Sequence, residues 1–247
     1  MSFPLALVTG AAQRVGKGIA QYLGQRGYAI LLHYNSSEDE ALKTAAEIRK
    51  NGIPVQLVQA DLTQPEGIQR VFSVLDDWIA SGTKEITNFR VLVNSAATMI
   101  PGSPDEVSLK DWNSTLDLNL RAPFYCAQES AKRMAQGGNI INISDIAANK
   151  TWSNYAAYIT SKAGLEAMTR VLARAYAPNI RVNGIAPGLV LPNAWISKEQ
   201  WERLTARLPL KRVGKIEEIT ATLGLLLDNE YIVGEIIAVD GGYSLLS

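Results

Sequence analysis

The chain is nearly without the two side chains on which many catalytic and metal sites depend. Cys126 is its only cysteine and His33 its only histidine. One cysteine excludes an internal disulfide and fits a reducing compartment. One histidine excludes a histidine-based metal site and a Ser-His-Asp triad. No clustered Asp/Glu signature takes their place, so no metal is expected. Net charge is absent too, because 24 Lys and Arg balance 24 Asp and Glu. That leaves no broad basic surface for nucleic acid or anionic lipid. Long apolar runs are also missing: charge or glycine interrupts each well before the roughly 18 residues a membrane span needs. The first ten residues carry no basic leader and turn at Gly10, too soon for a signal peptide. These absences predict a soluble, cytoplasmic protein with a small-molecule partner.

What the 247 residues do contain is a rhythm. Short apolar runs at Leu5–Thr9, Ala29–Tyr34, Val55–Ala60, Arg90–Asn94, Asn139–Ser144, Ile180–Ile185 and Ile236–Val239 read as strands. Amphipathic stretches near 15–27, 38–51, 65–80, 106–135, 155–177 and 215–228 read as helices between them. Strands that are apolar throughout and separated by helices form a parallel sheet covered on both faces. Seven of them suit a doubly wound α/β fold of three layers, α/β/α. With no linker, composition break or repeat, one domain over residues 1–247 is expected. The segment 189–213 breaks the rhythm with Pro192, Trp195, Trp201 and Pro209. A long excursion after a strand is expected to form a substrate loop; a packing insert or subunit contact is the alternative.

Thr9-Gly10-Ala11-Ala12-Gln13-Arg14-Val15-Gly16 follows the first strand and opens a helix. Gly10 and Gly16 permit a tight turn and close approach of backbone N–H groups to a pyrophosphate at a helix N-terminus. The second strand ends His33-Tyr34-Asn35-Ser36-Ser37, with no acid before Glu38. A carboxylate there would hold a ribose 2′-OH and repel a 2′-phosphate. Its absence, the charge of Arg14 and the hydroxyls of Ser36 and Ser37 predict NADP(H). A solvated Arg14 and a Ser37 that only caps the next helix form the plainer reading. Further on, Tyr158 and Lys162 stand four apart on one helix face. The ammonium can lower the pKa of the phenol and also bind a ribose.

The loop resembles the T-G-x-x-x-G-x-G element of the short-chain dehydrogenase/reductase family, with Arg14 in place of the middle glycine. Asn94-Ser95-Ala96-Ala97, Asn119, Tyr158-Ile159-Thr160-Ser161-Lys162, Pro187-Gly188 and Asp240-Gly241-Gly242 follow in that family's order over almost the whole chain. The resemblance implies a Rossmann-like fold, an NADPH-dependent reductase and a homotetramer. Tyr158 would be the proton donor and Asn119 a member of a proton relay through water. Asp61 and Leu62 would lie at the adenine, Asn94, Ser95 and Ala96 beside the cofactor. Pro187, Gly188 and Leu189 would lie near the carboxamide.

One departure narrows the chemistry. Most members of the family place a serine thirteen residues before the tyrosine; here that residue is Asp145. An ionised carboxylate would repel a developing oxyanion but suits a substrate with N–H donors or a ring nitrogen that takes a proton. Ser144 is adjacent but points to the opposite face. Arg14 and Asp145 together resemble the pteridine reductase branch, as do His33-Tyr34 with Ser37 and the closing Val239-Asp240-Gly241-Gly242-Tyr243-Ser244-Leu245. By that resemblance Arg14 reaches cofactor phosphate and substrate, Asp145 and Tyr158 form the proton-donating pair, and Tyr155 and Leu189 line the pocket. Met99 stands where the branch often has an aromatic; Trp152 or Trp195 could serve instead. Two other readings stay open: a 3-oxoacyl carrier-protein reductase or related carbonyl reductase, and a non-catalytic NADP-binding module. The retained Tyr158 and Lys162 count against the latter.

Overall fold

A computed structural model describes residues 2–81, 86–193 and 196–246. Seven parallel strands form one sheet: β1 Phe3–Val8, β2 Ala29–Tyr34, β3 Val55–Gln59, β4 Ile86–Asn94, β5 Gly138–Ile143, β6 Ile180–Pro187 and β7 Ile236–Val239, in the order β3-β2-β1-β4-β5-β6-β7. The register runs through paired apolar positions such as Leu7 with Leu31 and Leu92 with Ile140. Alternate residues of each strand serve opposite cores. Val8, Leu32, Val93 and Ile141 pack with α1 (Arg14–Gln25), α2 (Glu38–Arg49) and α8 (Ile216–Asp228). Leu7, Leu31, Leu92 and Ile140 pack with α3 (Pro65–Ala80), α5 (Ala122–Arg133) and α6 (Ala156–Tyr176). Burial on both faces is why the strands read as unbroken apolar runs rather than as alternation.

The topology also places the site. From the β1/β4 pair the chain winds outward in both directions, so crossovers diverge there and open a crevice at the carboxyl ends of the strands. Gly10, Asn94, Asp145 and Gly188 all lie just past or at such ends.

Two helical expectations are corrected. The stretch 106–135 is not one helix. It is α4 (Leu109–Leu116), a π-helical turn at Asp117–Arg121, and then α5. Ser108 starts α4, its hydroxyl accepting from Asp111 N at 3.0 Å. Pro123 has no N–H to donate to the carbonyl of Asn119, so the regular ladder cannot pass that point. The segment 189–213 is not all loop either: it contains α7 (Lys198–Arg207). A capping box begins it, with Ser197 Oγ accepting from Gln200 N and Gln200 Oε1 from Ser197 N. Among the described residues no helix is long and apolar enough to cross a membrane.

Candidate active site

A cleft of about 980 Å³ runs across the carboxyl ends of β1, β2, β4, β5 and β6. At its centre is the β1–α1 turn. Gly10 has φ +63°, and a Cβ there would lie 2.8 Å from Ala96 Cα. A Cβ on Gly16 would lie 2.2 Å from the carbonyl oxygen of Gly10. The turn is therefore closed as tightly as glycine allows. The first turn of α1 has no side-chain cap and no acidic residue, which leaves its N–H groups and positive dipole end to an external anion. Arg14, Val15 and Gly16 line the cleft there, so the chain fits a dinucleotide pyrophosphate.

His33 holds this turn from behind. Its buried ring accepts from Gly10 N at Nδ1 (3.1 Å) and donates from Nε2 to Ala60 O (3.0 Å). The pair of contacts fixes a neutral tautomer. Burial, outweighing the Ala60 contact and the charge of Asp61, pushes its pKa down from 6.5 to about 4. Between those values the unfolded chain binds a proton that the folded chain refuses, so stability present above pH 6.5 is lost as pH falls towards 4. The loss from this one group amounts to roughly 3 kcal/mol. A melting series against pH should show a smaller acid drop for His33→Asn than for wild type; equal drops would clear His33.

Arg14 takes a direction its sequence position did not suggest. Its φ of +56° lies in the left-handed region, a strain of order 1–3 kcal/mol for a residue other than glycine. Its guanidinium donates to Pro192 O at 2.9 Å and Leu191 O at 3.1 Å. Charge-assisted bonds contribute about 1.5–3 kcal/mol each, enough to offset that strain. Arg14, Ser36 and Ser37 all line the cleft, where the neighbour of Ser37 is Gln13, its Nε2 3.5 Å from Ser37 Oγ. Tyr34, Ser36, Ser37, Asp61 and Leu62 line that end of the cleft. Asp61 accepts from Thr63 N and Thr63 Oγ1 at 2.9 and 2.7 Å.

At the other end Tyr158 donates from its hydroxyl to Asp145 Oδ2 at 2.8 Å. Asp145 Oδ1 accepts from Ala147 N at 2.8 Å, capping the short helical turn Ile146–Asn149. Asp145 therefore caps and faces the tyrosine at once. Lys162 donates to Ile143 O at 2.8 Å, its Nζ 5.8 Å from the Tyr158 ring centroid. Burial raises the pKa of Asp145, opposed by the Ala147 N–H, the Tyr158 hydroxyl and the Lys162 charge. Burial first, then the charge and hydrogen bond of Asp145, raises Tyr158 well above 10. Burial lowers Lys162 to about 8 against the pull of Asp145. Ser144 is turned away, donating to Glu166 at 3.1 Å.

Two expected site residues lie behind the wall of the cleft. Asn94 donates to Asn142 Oδ1 at 2.9 Å, and Asn142 in turn to Thr169 Oγ1 at 2.9 Å, a buried chain joining β4, β5 and α6. Asn119 accepts from Thr98 N at 2.9 Å and donates to Thr98 O at 2.8 Å and Ser161 Oγ at 3.1 Å. Its amide positions the strand-end segment that follows β4. Ser95 and Ala96, which do line the cleft, give their N–H groups to Thr9 Oγ1 at 3.0 and 3.1 Å.

Pro187, Gly188 and Leu189 form the floor. A Cβ on Gly188 would meet Asp240 Cα at 2.7 Å, so the Asp240-Gly241-Gly242 turn packs directly beneath. Met99, Trp152 and Tyr155 line the end of the cleft beside Tyr158. Trp195 lies outside the described residues. Trp201, named in the expected substrate loop, lines the cleft; Gln200 and Leu204 of α7 do so as well, and sequence reasoning did not single these two out, nor give Tyr243, whose ring is 5.8 Å from Trp152, a place in the site. The Ser197-x-x-Gln200 capping pattern was the available signal for that helix.

The arrangement has relatives. The family profile described as enoyl-(acyl carrier protein) reductase matches residues 10–244. Glucose 1-dehydrogenase 2 of Bacillus subtilis (strain 168) is 32% identical over 97% of this chain and 94% of its own length. FolM alternative dihydrofolate reductase 1 from Brucella suis, solved in complex with NADP, is 33% identical, with a TM-score of 0.88 over 98% of this chain and 96% of that one. The landomycin C-6 ketoreductase LanV with bound NADP and rabelomycin is 29% identical, with a TM-score of 0.89 over 99% and 98%. With its sheet order, its glycine turn and its Tyr158/Lys162 helix, the chain belongs to the short-chain dehydrogenase/reductase family of oxidoreductases.

Proposed function

We propose that the protein is an NADPH-dependent reductase of a pterin-type C=N bond. The observation that carries this reading is the 2.8 Å hydrogen bond from the Tyr158 hydroxyl to Asp145, in the position where most of the family has a serine. When bound, NADPH supplies the hydride. Tyr158 gives its proton to the ring nitrogen as the C=N bond becomes CH–NH. Asp145, its pKa raised by burial, supplies the phenol with a replacement proton as their hydrogen bond reverses. Lys162 keeps two N–H donors beyond the one on Ile143, and its charge stabilises the phenolate. Arg14, Val15 and Gly16 hold the pyrophosphate; Ser36 and Ser37, with Gln13, take the 2′-phosphate. Trp152, Tyr155 and Met99 bound the pterin.

One NADP-binding domain spans the chain, in a cytoplasmic homotetramer. Exposed Tyr125 and Val171 on α5 and α6, and exposed Tyr231 and Val233 before β7, support subunit contacts. A carbonyl reductase is the second reading, favoured by the comparable likeness to LanV. Steady-state oxidation of NADPH with dihydrobiopterin and with an acetoacetyl thioester separates the two. Turnover of the pterin is expected. Turnover of the thioester alone would move the substrate to the ketone class.

A further inference from the structure

We propose that Arg14 is a positioning residue for the substrate segment: it straps Leu191 and Pro192 to the phosphate turn and thereby sets substrate affinity. The segment leaves the sheet after β6 and is anchored at its base by Gly214 N donating to Leu189 O at 2.8 Å. Its far end is anchored by Leu210 N donating to Gly241 O at 3.3 Å. Between these anchors the two arms of the Arg14 fork reach consecutive backbone carbonyls, at 2.9 and 3.1 Å. Leu191 and Asn193 line the cleft beside Met99, as do Gln200 and Leu204 of α7 farther along the same segment. Holding residues 191 and 192 therefore holds one wall of the substrate end.

The backbone supports the same conclusion. Arg14 sits at φ +56°, a conformation glycine adopts freely. A residue is kept there whose main chain is strained, and whose side chain bridges 177 and 178 residues to its partners. A lysine could not reproduce the contact, because one ammonium does not span two carbonyls as a planar fork does. The guanidinium has five N–H donors and spends two on the carbonyls. The other three remain for a phosphate or a substrate, so one side chain joins the segment to the contents of the cleft.

The test is hydrogen exchange on the ligand-free protein, for wild type, Arg14→Gly and Arg14→Lys, with steady-state kinetics on the same three. In Arg14→Gly the amides of α7 and Gly214 should exchange about tenfold faster or more, as expected for the loss of two charge-assisted bonds. The melting temperature should hold or fall modestly, since the strain that glycine relieves offsets part of the two lost bonds. Arg14→Lys should fold and exchange faster than wild type but slower than the glycine variant, with one carbonyl still reached. With NADPH kept saturating, the KM for dihydrobiopterin should rise about tenfold, the signature of a lost binding contact. Exchange in Arg14→Gly as slow as in wild type would overturn the strap. The kinetic arm rests on the pterin reading. If wild type leaves dihydrobiopterin untouched, that reading fails by itself, and the exchange result still decides the strap.

Discussion

Tyr158→Phe should lower turnover about 10²–10⁴-fold, the usual contribution of a positioned proton donor, while NADPH affinity stays within about twofold. The substitution removes one atom. That atom donates to Asp145 Oδ2 at 2.8 Å, and no other residue lining the cleft is placed by the described contacts to replace it. Ser144 is committed to Glu166, and Asn119 to Thr98 and Ser161. The scaffold should tolerate the loss. The hydrogen bond from Tyr158 lowers the pKa of Asp145, so removing it raises that pKa further, towards the uncharged acid that burial favours. Lys162 remains on Ile143 O, with its other donors free. Single-turnover rates at saturating NADPH, beside a cofactor titration, check the result. Near-normal turnover would remove Tyr158 from the proton path and leave Asp145 as the donor.

The sheet was legible because its central strands are buried on both faces, so composition marks them. β2 and β7 coincide with their apolar runs. β4 starts earlier than its run, at Ile86, which pairs with Phe3 of β1; Thr87 and Asn88 interrupt the apolar pattern at the register shift that follows. The break between α4 and α5 turns on Pro123, a single residue inside an otherwise helical pattern. In the site, Tyr158, Lys162 and Asp145 were legible because their relation is local: four residues along one helix, and one residue at a strand end. The direction of Arg14 was not. It depends on a backbone angle that propensity does not encode and on carbonyls 177 and 178 residues away. The contacts that His33 makes behind the turn, and the place of Tyr243 in the cleft, were obscured for the same reason. The partners that fix their rings, Gly10 and Ala60 for one and Trp152 for the other, come together only in the fold.

Asp145→Ser should exchange one chemistry for another. Serine restores the residue most of the family has at this position, and as a capping residue it can still accept from Ala147 N, so the Ile146–Asn149 turn should survive. What it cannot do is hold a proton in reserve beside Tyr158. Turnover of a pterin should fall about 10²-fold or more, and reduction of a simple ketone should appear, because a neutral hydroxyl donates to a developing oxyanion that a carboxylate would repel. The pH profile gives the sharper distinction. Burial raises the pKa of Asp145 from 3.8. The protonated, proton-supplying form is complete below that raised value and is lost as pH rises through it, so wild-type kcat on the pterin should decline in that direction. Asp145→Asn cannot titrate and should show a lower rate with no such limb. A limb that persists unchanged in Asp145→Asn would assign it to another group. Lys162, at about 8, is the group that remains to be tested, since loss of its charge above that pH removes the stabilisation of the phenolate in any reduction the cleft performs.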